Sequence, residues 1–189
     1  ALVKDTDYTV SYSKNTDVGT AEVTVTGSGN GIGGILGYCT NSTINIANCL
    51  NAGKVITGDA GAGGLLGRNG ASAKTTISYC LNRGAIEGPK WIGSIVGWWQ
   101  SGTVTATSVY GTKTSDATGT DTSASIDNIA VGNDKTLDNA TMVELSDITV
   151  SATTDITSDS VITKLEGFDF GTIWTIGTEE GSMPELQLN

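Results

Sequence analysis

The amino-acid sequence predicts an all-β protein, a short right-handed parallel β-solenoid of about three coils of roughly 30 residues each. Two observations predict this fold. The segment "GIGGILGYCTNSTINIANCLNAGKVITG" (residues 31–58) recurs as "GAGGLLGRNGASAKTTISYCLNRGAIEG" (residues 61–88), and apolar and polar residues alternate between the glycines. Such repeats stack because one coil cannot bury its apolar face alone, whereas a neighbour of the same shape can cover it.

Glycines occupy fixed positions in the first half of each repeat, and a third, weaker copy, "WIGSIVGWWQSGTVTATSVYG", keeps most of them. Because glycine adopts positive φ and lets two backbone segments approach closely, these positions predict tight turns or close backbone packing. The equivalent positions are Gly34, Gly64 and Ser94, followed by Gly37, Gly67 and Gly97.

The second half of each repeat predicts short strands. In "TINIANC" apolar and polar residues alternate, which is the two-residue period of a strand with one buried face. In stacked coils, equivalent residues lie above one another. We therefore expect Cys49 and Cys80 to form an inward ladder, and Asn51 and Asn82 to stack at a turn.

The repeat motif, G-x-G-G-[IL]-L-G followed by Cys-Leu-Asn-x-Gly-x-[IV]-x-Gly, resembles the GLUG repeat of bacterial surface proteins, adhesin-like proteins and non-catalytic regions of some immunoglobulin A peptidases. It extends from Gly31 to about Gly111. Residues 7–30 resemble the last strands of bacterial immunoglobulin-like surface repeats, and residues 168–186 resemble the tail that closes such arrays. The resemblance implies an extracellular location, at the bacterial cell surface or secreted, and a role in display or adhesion, and it supplies no catalytic residues.

The chain is thus expected to have three parts. Residues 1–30 form an N-terminal β-hairpin cap, residues 31–111 form the GLUG-like repeats, and residues 112–189 form a loop and a mixed C-terminal capping region. Within the last part, residues 112–128 predict an exposed polar loop and residues 139–147 a short helix, and "ITVSATTDITSDSVITKL" alternates in places like a strand.

Charge and composition exclude several classes of function. The net charge of −10, from 10 basic and 20 acidic residues, disfavours nucleic-acid binding and adsorption to anionic membranes. The chain has no histidine, which excludes Ser-His-Asp and Cys-His catalysis and His-ligated zinc. No apolar run is long enough to insert into a membrane. Carboxylate-only catalysis and an oxygen-ligated calcium site remain open.

The chain has three cysteines, Cys39, Cys49 and Cys80, without a CxxC metal-binding spacing. We expect buried thiols stacked in the core. A Cys49–Cys80 disulfide between adjacent coils is the alternative, because neighbouring strands lie close enough to allow one.

Aromatic residues cluster on the third copy and predict a ligand-binding face, because flat rings stack on sugar rings. The alternative is that these side chains close the core where the repeat pattern fails. Trp98 occupies the position of Tyr38 and Arg68 in the earlier copies, which favours a side chain that is at least partly exposed. Trp99 should point to the opposite side of the strand. The candidate ligand-binding residues are Trp91, Trp98, Trp99 and Tyr110.

No cofactor is expected, although loop acids and one asparagine could supply calcium ligands. None of them fits an EF-hand loop or a calcium-binding nonapeptide repeat, and solvated surface acids are the simpler interpretation. The residues concerned are Asp116, Asp121, Asp127, Asn128, Asp155 and Asp159.

The sequence therefore predicts a non-enzymatic module of a secreted or wall-anchored bacterial protein, monomeric within a larger chain. Its expected role is adhesion or ligand binding, with a host or dietary glycan as the favoured partner. A structural spacer or a protein-interaction module is the alternative, and a carbohydrate-active enzyme that uses carboxylates alone is a more distant one.

Overall fold

The protein is a parallel β-solenoid of about three turns, which confirms the predicted fold class. The computed structural model describes residues 8–13, 22–27, 31–112, 130–133 and 135–187. Equivalent strands of successive coils pair in parallel and in register, so each coil covers the apolar face of its neighbour.

An N-terminal hairpin precedes the coils. Strands β1 (Tyr8–Ser13) and β2 (Glu22–Gly27) are antiparallel, and β2 also pairs in parallel with the strand Val55–Thr57 of the first coil. The hairpin thus extends one sheet of the solenoid at its N-terminal end.

Each coil follows the same path through strands separated by tight turns. The first coil comprises β3 (Ile32–Gly33), β4 (Leu36–Cys39), β5 (Thr43–Ala47), β6 (Leu50–Asn51) and β7 (Val55–Thr57). The second comprises β8 (Ala60–Gly63), β9 (Leu66–Asn69), β10 (Lys74–Asn82) and β11 (Ile86–Glu87). The third comprises β12 (Lys90–Gly93), β13 (Val96–Trp99) and β14 (Thr103–Thr112).

The core consists of apolar ladders along the stacking direction. Ile77 pairs with Ile46 on one side and Ala106 on the other, and all three side chains are buried. Burial is most complete in the middle coil, because neighbours cover it on both sides.

The asparagines stack as predicted. Asn51 Nδ2 donates to Asn82 Oδ1 at 2.8 Å, and Asn82 Nδ2 donates to Ser94 Oγ at 3.1 Å. A Cβ at Gly64 would lie 2.2 Å from the Asn82 amide carbon, so glycine at this position leaves room for the ladder. The recurrence of these residues from one repeat to the next therefore has a structural cause.

The stacking continues past the third coil, where the sequence shows no repeat. Val131 forms a parallel bridge with Val96, and β15 (Ala140–Val143) pairs in parallel with β14. A partial fourth turn therefore covers the end of the solenoid. The sequence pattern did not indicate it, because backbone pairing needs no repeated side chains.

The helix positions in the C-terminal part were predicted wrongly. Residues 139–147 contain β15 and the start of a 3₁₀ turn (Leu145–Ile148), and helix α1 (Ser158–Lys164) lies in the stretch that resembled a strand. Thr157 is the N-cap of this helix, and its side chain accepts from the Ser160 backbone N–H in a capping box. This local cap outweighs the β-branched composition of the segment.

The C-terminal segment packs on one flank of the solenoid. Val161 and Trp174 are fully buried and share a cluster with Leu81 and Tyr110 of the coils. The antiparallel strands β16 (Trp174–Thr175) and β17 (Glu185–Leu186) complete this cap.

A residue with a left-handed backbone recurs at the same place in the stack, once in each of the three coils and once in the partial fourth turn. The residues are Asn48 (φ 52°), Tyr79 (φ 53°), Ser108 (φ 48°) and Asn139 (φ 58°). In the five-stranded sheet, the residues that follow each of these positions pair in register with one another. The left-handed residue therefore makes a kink that recurs in the coil.

Replacing Asn48 with alanine is expected to destabilise the protein by about 1 kcal/mol, because alanine adopts the left-handed region at a cost that asparagine largely avoids. The melting temperature should fall by about 2–4 °C. Asn48→Gly should leave it nearly unchanged, and equal melting temperatures for the alanine and glycine variants would contradict this account of the kink.

Candidate functional site

The site begins with the close packing of two sheets around the glycines. In the second coil the chain turns back between β8 and β9, and a Cβ at Gly63 would lie 2.0 Å from the carbonyl oxygen of Leu66. A Cβ at Gly67 in β9 would lie 2.5 Å from the carbonyl carbon of Ile32 in β3, which belongs to the other sheet. The two sheets thus approach backbone against backbone, which accounts for the fixed glycines of the repeat.

Beside this glycine-rich layer, three side chains stack along the coils. Tyr38 pairs in register with Arg68, and Arg68 with Trp98. The Arg68 guanidinium carbon lies 4.8 Å from the centroid of the Tyr38 ring and 4.1 Å from that of Trp98. Its Nε and Nη2 donate to Gln100 Oε1 at 3.2 and 2.6 Å, which fixes the plane of the group between the two rings.

Trp91 adds a further ring from an unusual backbone position. Its φ is 51°, and the residues before it in the stack, Gly31 and Gly61, have φ of 94° and 78°. A bulky residue in this region is strained by about 1–2 kcal/mol. The indole stacks on Trp98 with 3.9 Å between ring centroids and 23° between planes. The tryptophan thus carries a backbone strain that the glycines at the equivalent positions of the first two coils avoid.

Together these side chains form the aromatic column, which we define as Tyr38, Arg68, Trp98, Trp91 and Lys90. A guanidinium at 4.1 Å and an indole at 3.9 Å cannot share one face of the Trp98 ring, so both of its faces are covered. By the same argument the Lys90 ammonium, 4.2 Å from the Trp91 centroid, lies on the outer face of that ring. Two rings of the column are therefore accessible to a ligand. Trp91 becomes accessible when Lys90 moves aside, and Tyr38 is already 45% exposed.

Trp99 points away from the column, as expected for the neighbour of Trp98 on a strand. Its indole Nε1 donates to the Gly102 carbonyl at 3.2 Å, and its ring packs against the solenoid core. The Lys135 ammonium lies 4.9 Å from the ring centroid. Trp99 thus closes the end of the core, and the structure does not bring it to the same face as Trp91 and Trp98.

Tyr110 is separate from the tryptophans, in contrast to the sequence-based expectation. It is 7% exposed, its hydroxyl donates to the Glu166 carbonyl at 3.1 Å, and its ring meets Phe168 edge to face. Burial, followed by the nearby Glu166 carboxylate, raises the Tyr110 pKa. Proximity in sequence was misleading because each coil carries its later residues to a different sheet, where Tyr110 contacts the C-terminal cap.

Sequence reasoning did not assign Tyr38, Arg68 and Lys90 to the site. The signal that could have found them is the alignment of the repeats, which places Trp91 opposite two glycines and Arg68 between two aromatic residues. Only the stacked coils show that these positions adjoin one another.

The three cysteines are free thiols. Cys39 and Cys80 are buried as expected, and Cys49 is half-buried, with its backbone N–H donating to Cys80 Sγ at 3.3 Å. Burial raises the pKa of Cys80 to about 12, so this thiol stays protonated at neutral pH. The buried thiols therefore act as small core side chains.

Of the residues proposed as calcium ligands, the structure describes two. Asp155 and Asp159 are exposed, and the remaining candidates, Asp116, Asp121, Asp127 and Asn128, lie outside the described residues. In the described part of the chain, no group of three or more His, Cys, Asp or Glu side chains is placed to hold a metal ion.

Comparison with known proteins adds no assignment. No family model matches the chain, no curated protein is similar to it, and no solved structure matches it. Among the described residues, no helix combines the length and apolar character needed to span a bilayer.

Proposed function

We propose that this domain is a non-catalytic glycan-binding module of a secreted or wall-anchored bacterial surface protein. The observation that carries the proposal is the left-handed Trp91, which replaces the glycines of the first two coils and stacks on Trp98. Strained backbone conformations occur most often at functional sites, and here the strained residue adds a second indole beside Trp98. This is the arrangement expected if the indole contacts a ligand.

In this proposal a sugar ring packs its apolar face on the outer face of Trp91. Lys90 has a flexible four-carbon stem, so its ammonium can leave the ring and donate to sugar hydroxyl groups. Trp98 and Arg68 hold the Trp91 ring from behind, and the Arg68 hydrogen bonds to Gln100 keep this support rigid. The column offers rings and cations and contains no carboxylate pair, so we propose no hydrolytic role for it.

The likeness of the repeat to GLUG motifs supports the surface location and the adhesive role. The acidic composition supports the same environment, since a net charge of −10 favours solubility and disfavours polyanionic partners such as nucleic acid. Host or dietary glycans are the ligands that a bacterial surface protein would meet.

Trp91→Gly is the most informative variant, because it restores the residue of the first two coils at this position. It removes one stacking contact worth about 0.5–1.5 kcal/mol and relieves strain of about 1–2 kcal/mol, so stability should stay within about 1 kcal/mol of wild type. On a glycan array of mucin and plant polysaccharide fragments, we expect the wild-type domain to bind and Trp91→Gly to lose at least about tenfold in affinity.

Tyr79→Gly is the matched control. It also replaces a partly exposed aromatic residue of left-handed backbone with glycine, but outside the column, so glycan affinity should be unchanged. A folded wild-type domain that binds nothing on the array would refute the glycan proposal and favour the spacer or protein-interaction role.

A further inference from the structure

A groove lies between the solenoid and its C-terminal cap, on a different part of the molecule from the aromatic column. It has a volume of about 570 Å³ and is lined by Arg83 of the second coil and by residues 175–177 and 181–183 of the cap. Ala52, Leu145 and Glu185 complete its walls. This volume falls within the range of small-molecule sites, which is roughly 300–1,000 Å³.

Arg83 is an under-paired cation in this groove. Its side chain is 11% exposed, and its only ion pair in the described part of the chain joins Nη2 to Glu185 Oε1 at 3.3 Å. Its buried Nε has no hydrogen-bond partner. Charge-assisted N–H···O contacts are usually about 2.7–2.9 Å long, so this single contact is weak. A guanidinium removed from water is stabilised only when it is well paired.

The existing counter-ion is held loosely. The Glu185 side chain is 64% exposed, so most of it remains in water and it can swing away from Arg83 at little cost. The rest of the lining is mixed: Thr175 and Ser182 are polar, whereas the side chains of Leu145, Ile176 and Met183 provide an apolar surface. Met183 adapts to irregular shapes because its side chain is unbranched and flexible.

We propose that this groove binds a carboxylate with a small branched apolar body. The carboxylate takes the place of Glu185 on the Arg83 guanidinium, whose planar fork matches two carboxylate oxygens, and the body lies against Leu145, Ile176 and Met183. In the absence of ligand, Glu185 acts as an internal competitor for Arg83. The proposal is independent of glycan binding, because it shares no residue with the aromatic column.

The test is a titration of the ¹⁵N-labelled domain with 4-methylpentanoate, monitored by backbone amide shifts. Its neutral isostere, 4-methylpentanamide, is titrated in parallel. Wild-type protein should bind the acid with shifts around the groove and should not bind the amide. N-acetyl-leucine and N-acetyl-leucinamide are titrated in the same way, because they carry the same branched side chain beside a peptide-like carboxylate or its amide. The domain should again bind the acid and not the amide.

The two charged residues should have opposite effects. Glu185→Gln removes the competitor and should tighten binding of the acid by about threefold to tenfold, whereas Arg83→Gln should weaken it at least tenfold. Arg83→Lys keeps the charge but not the fork, and should fall between Arg83→Gln and wild type. Because Glu185 is largely exposed, we expect Glu185→Gln to fold like the wild type. Its result therefore tests the proposal even if the Arg83 variants are unstable.

Three results would overturn the proposal: equal binding of acid and amide, weaker binding in Glu185→Gln, or no binding to either wild type or Glu185→Gln. Any of these would leave the Arg83–Glu185 contact as a pair that only fastens the cap to the solenoid.

Discussion

Replacing Gly67 with alanine is expected to destabilise the solenoid by about 3 kcal/mol, the upper end of the cost of overpacking. The new methyl group would lie 2.5 Å from backbone atoms of Gly31, Ile32 and Gly37. No side chain can rotate away to make room, because the obstructing atoms belong to paired strands of the first coil. The two sheets would have to separate, and the parallel pairing between β4 and β9 would weaken with them.

Gly58 is the matched control, because a Cβ there would meet no atom within 4 Å. Gly58→Ala should stabilise the protein by about 0.4–1 kcal/mol through lower entropy of the unfolded chain. Urea unfolding of both variants provides the measurement. If Gly67→Ala lost no more stability than Gly58→Ala, the close packing of the two sheets would be wrong.

Asn82→Ala is expected to cost roughly 3–5 kcal/mol. The Asn82 side chain is fully buried, and its Oδ1 accepts from Asn51 Nδ2 and from the Gly84 backbone N–H, at 2.8 and 3.2 Å. Its Nδ2 donates to the Gly84 carbonyl and to Ser94 Oγ, both at 3.1 Å. Alanine leaves several of these groups without a partner, and each buried group costs about 1–3 kcal/mol.

Two other asparagines calibrate this prediction. Asn45 is exposed on β5, so Asn45→Ala should change the free energy of unfolding by less than about 0.5 kcal/mol. Asn51 ends the ladder in the first coil, so Asn51→Ala should fall between the two. A loss below 1 kcal/mol for Asn82→Ala would show that the ladder contributes little to stability.

The solenoid was predictable from the sequence because its cause is repetitive. Packing of identical coils imposes the same glycines and the same Cys-Leu-Asn triplet on successive copies, and these can be compared within one chain. The Asn51–Asn82 contact followed directly from that comparison. Where the repeat ends, so does the prediction, and the partial fourth turn at Val131 and β15 carried no detectable pattern.

The candidate site was predicted only in part, for the same reason. The tryptophans were conspicuous as departures from the repeat, and the opposite orientations of Trp98 and Trp99 followed from strand geometry. The stacking of Trp91 on Trp98 depends on a positive φ that no local pattern indicates for tryptophan. Tyr110 is separated from Trp91 and Trp98 because it lies on β14, which belongs to a different sheet of the coil.

The central claim, that ligands bind at Trp91, is tested most directly by the indole N–H resonances of the chain's four tryptophans. The ¹⁵N-labelled domain would be titrated with the glycan that binds most tightly on the array. The four indole signals would be assigned with variants that each replace one tryptophan. Binding at the aromatic column should shift the Trp91 signal most and the Trp98 signal next. The signal of Trp174, which is fully buried within the C-terminal cap, should not move. Saturable glycan binding without a shift at Trp91 would contradict the account.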